Sequence, residues 1–186
     1  VTCEDAPKFE KPLATRMTSR YGRRSNPFGN YTSIHSGVDY RGPVGAPIQA
    51  AAEGIVSMSR VRGRYGKTVV ITHKNGFTTL YGHLSDYGVK EGDRVVKGQT
   101  IGFVGQTGRV TGPHLHFEVR CYKVPVNPVV YMKKKGRKAL VSVLRRNYIK
   151  PGGGERYISR KERVLRGRQR ASLDSRQLKE ISSGAF

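Results

Sequence analysis

The sequence predicts an all-β domain, a compact antiparallel arrangement, followed by a basic C-terminal appendage. Three observations predict it. Short β-rich runs alternate with turn signals from Met17 to about Tyr131, as in GAPIQAAAEGIVSMS, GKTVVITHKNGFTTLYGHL, GDRVVKGQTIGFVG and HLHFEVR. The Asn75-Gly76 pair lies between VVITH and FTTLY, the strongest short-range hairpin signal. No helical period of useful length appears in this stretch.

Taken in order, residues 1–16 read as an irregular N-terminal arm, with Pro7 and Pro12 and little periodicity. Residues 17–131 read as the β domain, and the abundance of glycine, 23 in the whole chain, suits tight turns. Residues 132–186 carry 17 basic and 4 acidic side chains and read as an appendage. Within it Leu140, Val143, Leu144 and Tyr148 fall at helical spacing, which predicts a short amphipathic basic helix before the PGGGE break. The chain opens on Val1 and not Met, as expected of a processed chain or an excised piece, so an export signal or anchor upstream is compatible with it.

Charge and cysteines bound the function. With 35 Lys+Arg against 13 Asp+Glu, the chain attracts polyanions: nucleic acid, anionic lipid or acidic polymers of a bacterial envelope. No run of 18 apolar residues predicts a membrane span. Tyr131, Tyr148 and Tyr157 are too sparse for a base-stacking platform, which argues against nucleic acid. GRYGK and GQTGR do not match a phosphate-binding loop and read as turns flanking a groove. Cys3 and Cys121 are compatible equally with one bridge and with two unrelated thiols.

The histidines carry the chemistry. In the strand HLHFEVR, Leu115, Phe117 and Val119 face a core, while His114, His116, Glu118 and Arg120 share the other face. In HSGVD, an extended segment puts His35 and Asp39 on one face, with Gly37 leaving room between them. YGHL adds His83 at a strand end. Four of five histidines thus fall in three compact motifs; His73, before the Asn75-Gly76 turn, reads as a strand-end residue without a metal role. Two imidazoles, one carboxylate and an open fourth position make the ligand set of a catalytic zinc site. Spacing alone does not say which of His114 and His116 is the ligand. No HExxH motif is present, so the base must be a histidine. Glu118 is read either as a partner of a histidine or, preferably, as the partner of a nearby arginine.

These motifs, in this order, resemble the lysostaphin/LytM-type zinc peptidases, which cut peptide bonds in peptidoglycan. The resemblance runs through SRYGRRSNP (with Tyr21 where phenylalanine is usual), HSGVDYRGPVGAPIQAAAEGIV, GKTVVITHKNGFTTLYGHLS, VKEGDRVVKGQTIGFVGQTGRVTGPHLHFEVR and the closing PVNPVVYM. It implies a barrel-sandwich-like β fold, Zn2+ held by His35, Asp39 and His116, and His83 with His114 as the catalytic pair. Tyr31 is the nearest counterpart of an oxyanion-stabilising tyrosine found in some members, but reads as ordinary loop packing. The wording of the motifs is closer to D,D-endopeptidases acting on D-alanyl cross-links between stem peptides than to glycyl-bridge cutters. A periplasmic or secreted setting in the cell envelope is implied, with residues 132–186 available to acidic envelope polymers. The alternative is a metal-free relative that regulates another wall hydrolase or binds polyanions through the basic tail. All five site residues are present, which favours the enzyme.

Overall fold

A computed structural model describes Cys3 and residues 5–132. The strands are β1 (Met17–Ser19), β2 (Gly22–Ser25), β3 (Thr32–His35), β4 (Val38–Arg41), β5 (Pro47–Gln49), β6 (Gly54–Val61), β7 (Lys67–Thr72), β8 (Phe77–Tyr87), β9 (Arg94–Val95), β10 (Thr100–Val104), β11 (His114–Cys121) and β12 (Val124–Val126). One sheet runs β1-β4-β11-β8-β7-β6-β9, with β10 joining β5 to β8 and β12 edging β11; β2 and β3 form a separate ribbon. The pairings are antiparallel, so the all-β expectation holds. The helix expected around Leu140–Tyr148 lies outside the described residues.

Local chemistry explains the elements. Asn75 (φ 58°) and Gly76 (φ 73°) both take the left-handed conformation, as a two-residue turn matched to strand twist demands. The helix α1 (Pro128–Met132) starts on proline, whose missing N–H costs nothing there, and Asn127 Oδ1 accepts the Val129 N–H at 3.1 Å. Strand β11 shows the alternation read from sequence: Leu115, Phe117 and Val119 are fully buried in the core with Val38, Tyr40, Leu84 and Ile101. Each such side chain contributes about 1.5–3 kcal/mol by leaving water.

Two features were not legible beforehand. The segment before β1 has no strand or helix among its described residues, yet Phe9 and Leu13 are buried in the core. His73 is also buried; Nδ1 donates to the Glu53 carbonyl at 2.6 Å and Nε2 pairs with Thr79 Oγ1 at 2.8 Å. Burial pushes its pKa down.

Cys3 and Cys121 are joined, a bond linking positions 118 residues apart. By loop-closure entropy such a bridge stabilises the fold by about 5 kcal/mol. Urea unfolding with and without reductant is expected to show that difference; an unchanged midpoint would remove the bridge from the stability account.

Candidate metal and catalytic site

The site lies where β3, β4, β8 and β11 meet. His116 sits directly across from Asp39 on one neighbour and from Gly82 on the other. The sequence reading of a single strand through HSGVD is corrected: His35 ends β3 in the ribbon, while Asp39 lies inside β4 of the main sheet. The chain changes sheets at Ser36-Gly37. A Cβ on Gly37 would stand 2.3 Å from the Phe117 carbonyl oxygen, so glycine is what permits the crossing over β11. The crossing still brings the pair together, His35 Nε2 lying 3.1 Å from Asp39 Oδ1.

His116 Nδ1 is 2.9 Å from the same oxygen and 3.1 Å from His35 Nε2. The ligand atoms of His35, Asp39 and His116 all fall within 4.8 Å of one another, and the three residues are buried. Their far atoms are tied down. His35 Nδ1 donates to the Arg20 carbonyl at 2.9 Å, so in the neutral ring the Nε2 lone pair faces the centre. His116 Nε2 meets Glu118 Oε1 at 3.0 Å, which leaves Nδ1 pointing inward. Arg24 holds the other Asp39 oxygen at 3.1 Å.

The electrostatics match. Burial alone would raise the pKa of Asp39, but its contacts with the His116 and His35 rings outweigh it and hold the carboxyl well below the usual range. Burial alone would lower the pKa of His116; its hydrogen bonds to Asp39 and Glu118 prevail and push it up to about 9. The centre therefore favours positive charge at the Nδ1 position, where a divalent cation would replace a proton. Two imidazoles and a carboxylate, with the far ring nitrogens anchored to a carbonyl and a carboxylate, fit zinc.

Glu118 answers both readings at once. It is fully buried, and its second oxygen takes Arg120 Nε at 2.6 Å. Burial would raise its pKa; the contacts with His116 and Arg120 bring it down to about 2. Tyr65 donates to Glu118 Oε1 at 2.8 Å and its ring lies 5.5 Å from that of His116. Tyr65 and Arg24 were missed from sequence; the GRYGK turn was placed at a groove, but nothing local singles out its tyrosine. Tyr31 is 56 % exposed and is not among the residues that line the cleft.

His83 and His114 stand beside this cluster, their ring centroids 4.8 Å apart and His83 5.9 Å from His116. His83 has φ 65°, an unusual conformation for a residue with a side chain. It lies at a bulge, where β8 advances from Tyr81 to Leu84 while β7 steps back only from Val69 to Lys67. The extra residue re-aims the ring toward the cleft. His83 Nδ1 donates to the Thr107 carbonyl at 2.9 Å and His114 Nδ1 to the Gly112 carbonyl at 2.8 Å, so each neutral ring carries its lone pair on Nε2. Burial lowers the pKa of His83 to about 4. The five residues open onto one cleft.

Comparison with known proteins follows the same lines. The model of peptidase family M23 matches residues 33–128, just over half of the chain. The DD-carboxypeptidase/endopeptidase Mpg of Neisseria meningitidis serogroup B is 48 % identical over 121 residues, covering 65 % of this chain and 28 % of that protein. The peptidoglycan DD-endopeptidase ShyC of Vibrio cholerae is 46 % identical over 114 residues, covering 61 % and 26 %. The chain thus spans little more than a quarter of the curated relatives it matches. A zinc-containing peptidase from Vibrio cholerae superposes with a TM-score of 0.62 at 36 % identity, covering 69 % of this chain and 40 % of that one. The catalytic domain of lysostaphin from Staphylococcus simulans gives 0.59 at 29 % identity, covering 64 % and 93 %. With its matched region containing every residue of the cluster, the chain belongs to peptidase family M23.

Proposed function

We propose that the chain is a zinc-dependent endopeptidase of the cell envelope that hydrolyses peptidoglycan cross-links at D-alanyl bonds. The observation that carries this reading is the convergence of His35, Asp39 and His116 within 4.8 Å beside two further histidines in an open cleft. The names of the DD-endopeptidase relatives support the choice of bond.

His35, Asp39 and His116 would hold the zinc, which when bound supplies Lewis acidity to polarise a carbonyl and acidify water. The chain's own residues do the rest. His83 and His114 present their Nε2 atoms to the cleft, and an unprotonated Nε2 is the form a general base requires. One takes a proton from the attacking water and returns it to the leaving amine. The other, with a proton on its Nε2, donates to the oxygen on which charge develops, a contact typically worth about 3 kcal/mol. Arg24 holds the outer Asp39 oxygen and so orients the carboxylate. Glu118 sets the ring plane of His116, a part reinforced by Tyr65 and Arg120.

The test is digestion of purified peptidoglycan of known composition by the zinc-loaded chain. Cross-linked dimers are expected to become monomers with a newly freed amine at the D-centre, chelation to stop the reaction and zinc to restore it. A digest indifferent to chelation, or one cut only in glycyl bridges, would overturn the proposal.

A further inference from the structure

The GRYGK and GQTGR turns lend Tyr65 and the Thr107 carbonyl to the site above, but their two arginines have no part in that chemistry. Gly66 and Gly108 interlock: a Cβ on Gly66 would meet Thr107 at 2.4 Å, and one on Gly108 would meet the Gly66 nitrogen at 2.4 Å. Thr107 Oγ1 accepts the Lys67 N–H at 2.9 Å and reaches the Leu84 carbonyl at 2.7 Å, while the Thr107 carbonyl holds His83. The Arg109 N–H donates to the Arg64 carbonyl at 2.9 Å, so two arginines spring from adjacent points. Both line the cleft of the five site residues. Among the described residues neither makes an ion pair, whereas Arg24, the other arginine in the wall, is engaged by Asp39. The Arg109 guanidinium carbon lies 4.4 Å over the centre of the Phe28 ring, a cation–π contact that leaves its N–H groups available to a ligand.

We propose that Arg64 and Arg109 form a carboxylate-binding subsite that recognises the acid group on the leaving-amine side of the scissile bond. This rests on the peptidase reading above and names what its cleft selects. An amide whose amine belongs to a D-amino acid centre carries a carboxylate on the carbon next to the leaving nitrogen. That holds whether the carboxylate ends a chain or hangs from a cross-linking residue, so one subsite serves both bonds. Paired guanidiniums on a rigid wall match a planar anion. Their attachment through Thr107 to His83 sets the anchored group at a fixed offset from the catalytic pair.

The experiment compares an acyl-D-Ala-D-Ala peptide with its C-terminal amide, using the zinc-loaded full chain. The wild type is expected to favour the free acid in kcat/KM by about tenfold or more. In Arg64→Gln/Arg109→Gln that ratio falls toward one, while Arg94→Gln, which removes one charge on β9, keeps it. Persistence of the preference in the double variant, or its loss in Arg94→Gln, overturns the subsite. Side-chain NMR signals of Arg64 and Arg109 supply a readout independent of turnover. They are expected to move with the acid and not with the amide; signals unmoved by the acid overturn the subsite even where cleavage proceeds. Signals that move while neither peptide nor wall is cut uphold the subsite and overturn the peptidase reading.

Discussion

Exchange of His116 for alanine is expected to strip the protein of zinc and reduce cleavage to the level of a chelated control. Three distances make the case: Nδ1 lies 2.9 Å from Asp39 Oδ1 and 3.1 Å from His35 Nε2, and Nε2 lies 3.0 Å from Glu118. Without the ring, one imidazole and one carboxylate remain, too few to retain a zinc ion through dialysis. The fold is expected to survive, because Glu118 keeps Arg120 and Tyr65 as partners. Circular dichroism checks the fold and elemental analysis the metal. Removing only the support, as in Glu118→Ala, is expected to weaken zinc binding by about 10–100-fold without abolishing it. A His116→Ala protein that holds one zinc per chain and cuts at the parental rate would refute the site.

The second large effect separates the two histidine pairs. His83→Ala and His114→Ala are each expected to keep the metal and lose about 10²–10⁴ in kcat. Neither makes one of the short contacts that gather His35, Asp39 and His116; the nearest approach is His114 Nε2 to Asp39 Oδ1 at 3.8 Å. His83 is the more informative variant. Its left-handed backbone stores about 1–3 kcal/mol of strain, which alanine also feels, so the altered rate reports on the ring and not on relaxation of the bulge. Single-turnover rates at saturating substrate, with zinc content measured on the same samples, decide it. Parental rates in both variants, or loss of zinc in either, would break the division of labour between the pairs.

What could be read from the chain was whatever period-two alternation and turn chemistry encode. HLHFEVR declared its faces, and Asn75-Gly76 its hairpin, because both are local. Clustered histidines pointed to the site before any geometry was known. The rest depends on contacts between distant positions. Asp39 and His116 are 77 residues apart in sequence, and their facing register is a property of the sheet. HSGVD looked like one strand because alternation ignores the possibility of changing sheets, and only the approach of Gly37 to Phe117 reveals the crossing. The re-aimed ring of His83 and the support from Tyr65 were hidden for the same reason: a bulge and a cross-loop contact leave no local signature. Phe9 and Leu13 sit in an irregular segment, where burial has no period to announce it.

The covalent link between Cys3 and Cys121 encloses all three proposed metal ligands and both histidines proposed as catalytic within one ring of polypeptide. A single proteolytic nick in any exposed turn between those cysteines therefore severs no half-site from its complement. The pieces stay one molecule, free to re-dock at intramolecular concentration, until a reductant opens the ring.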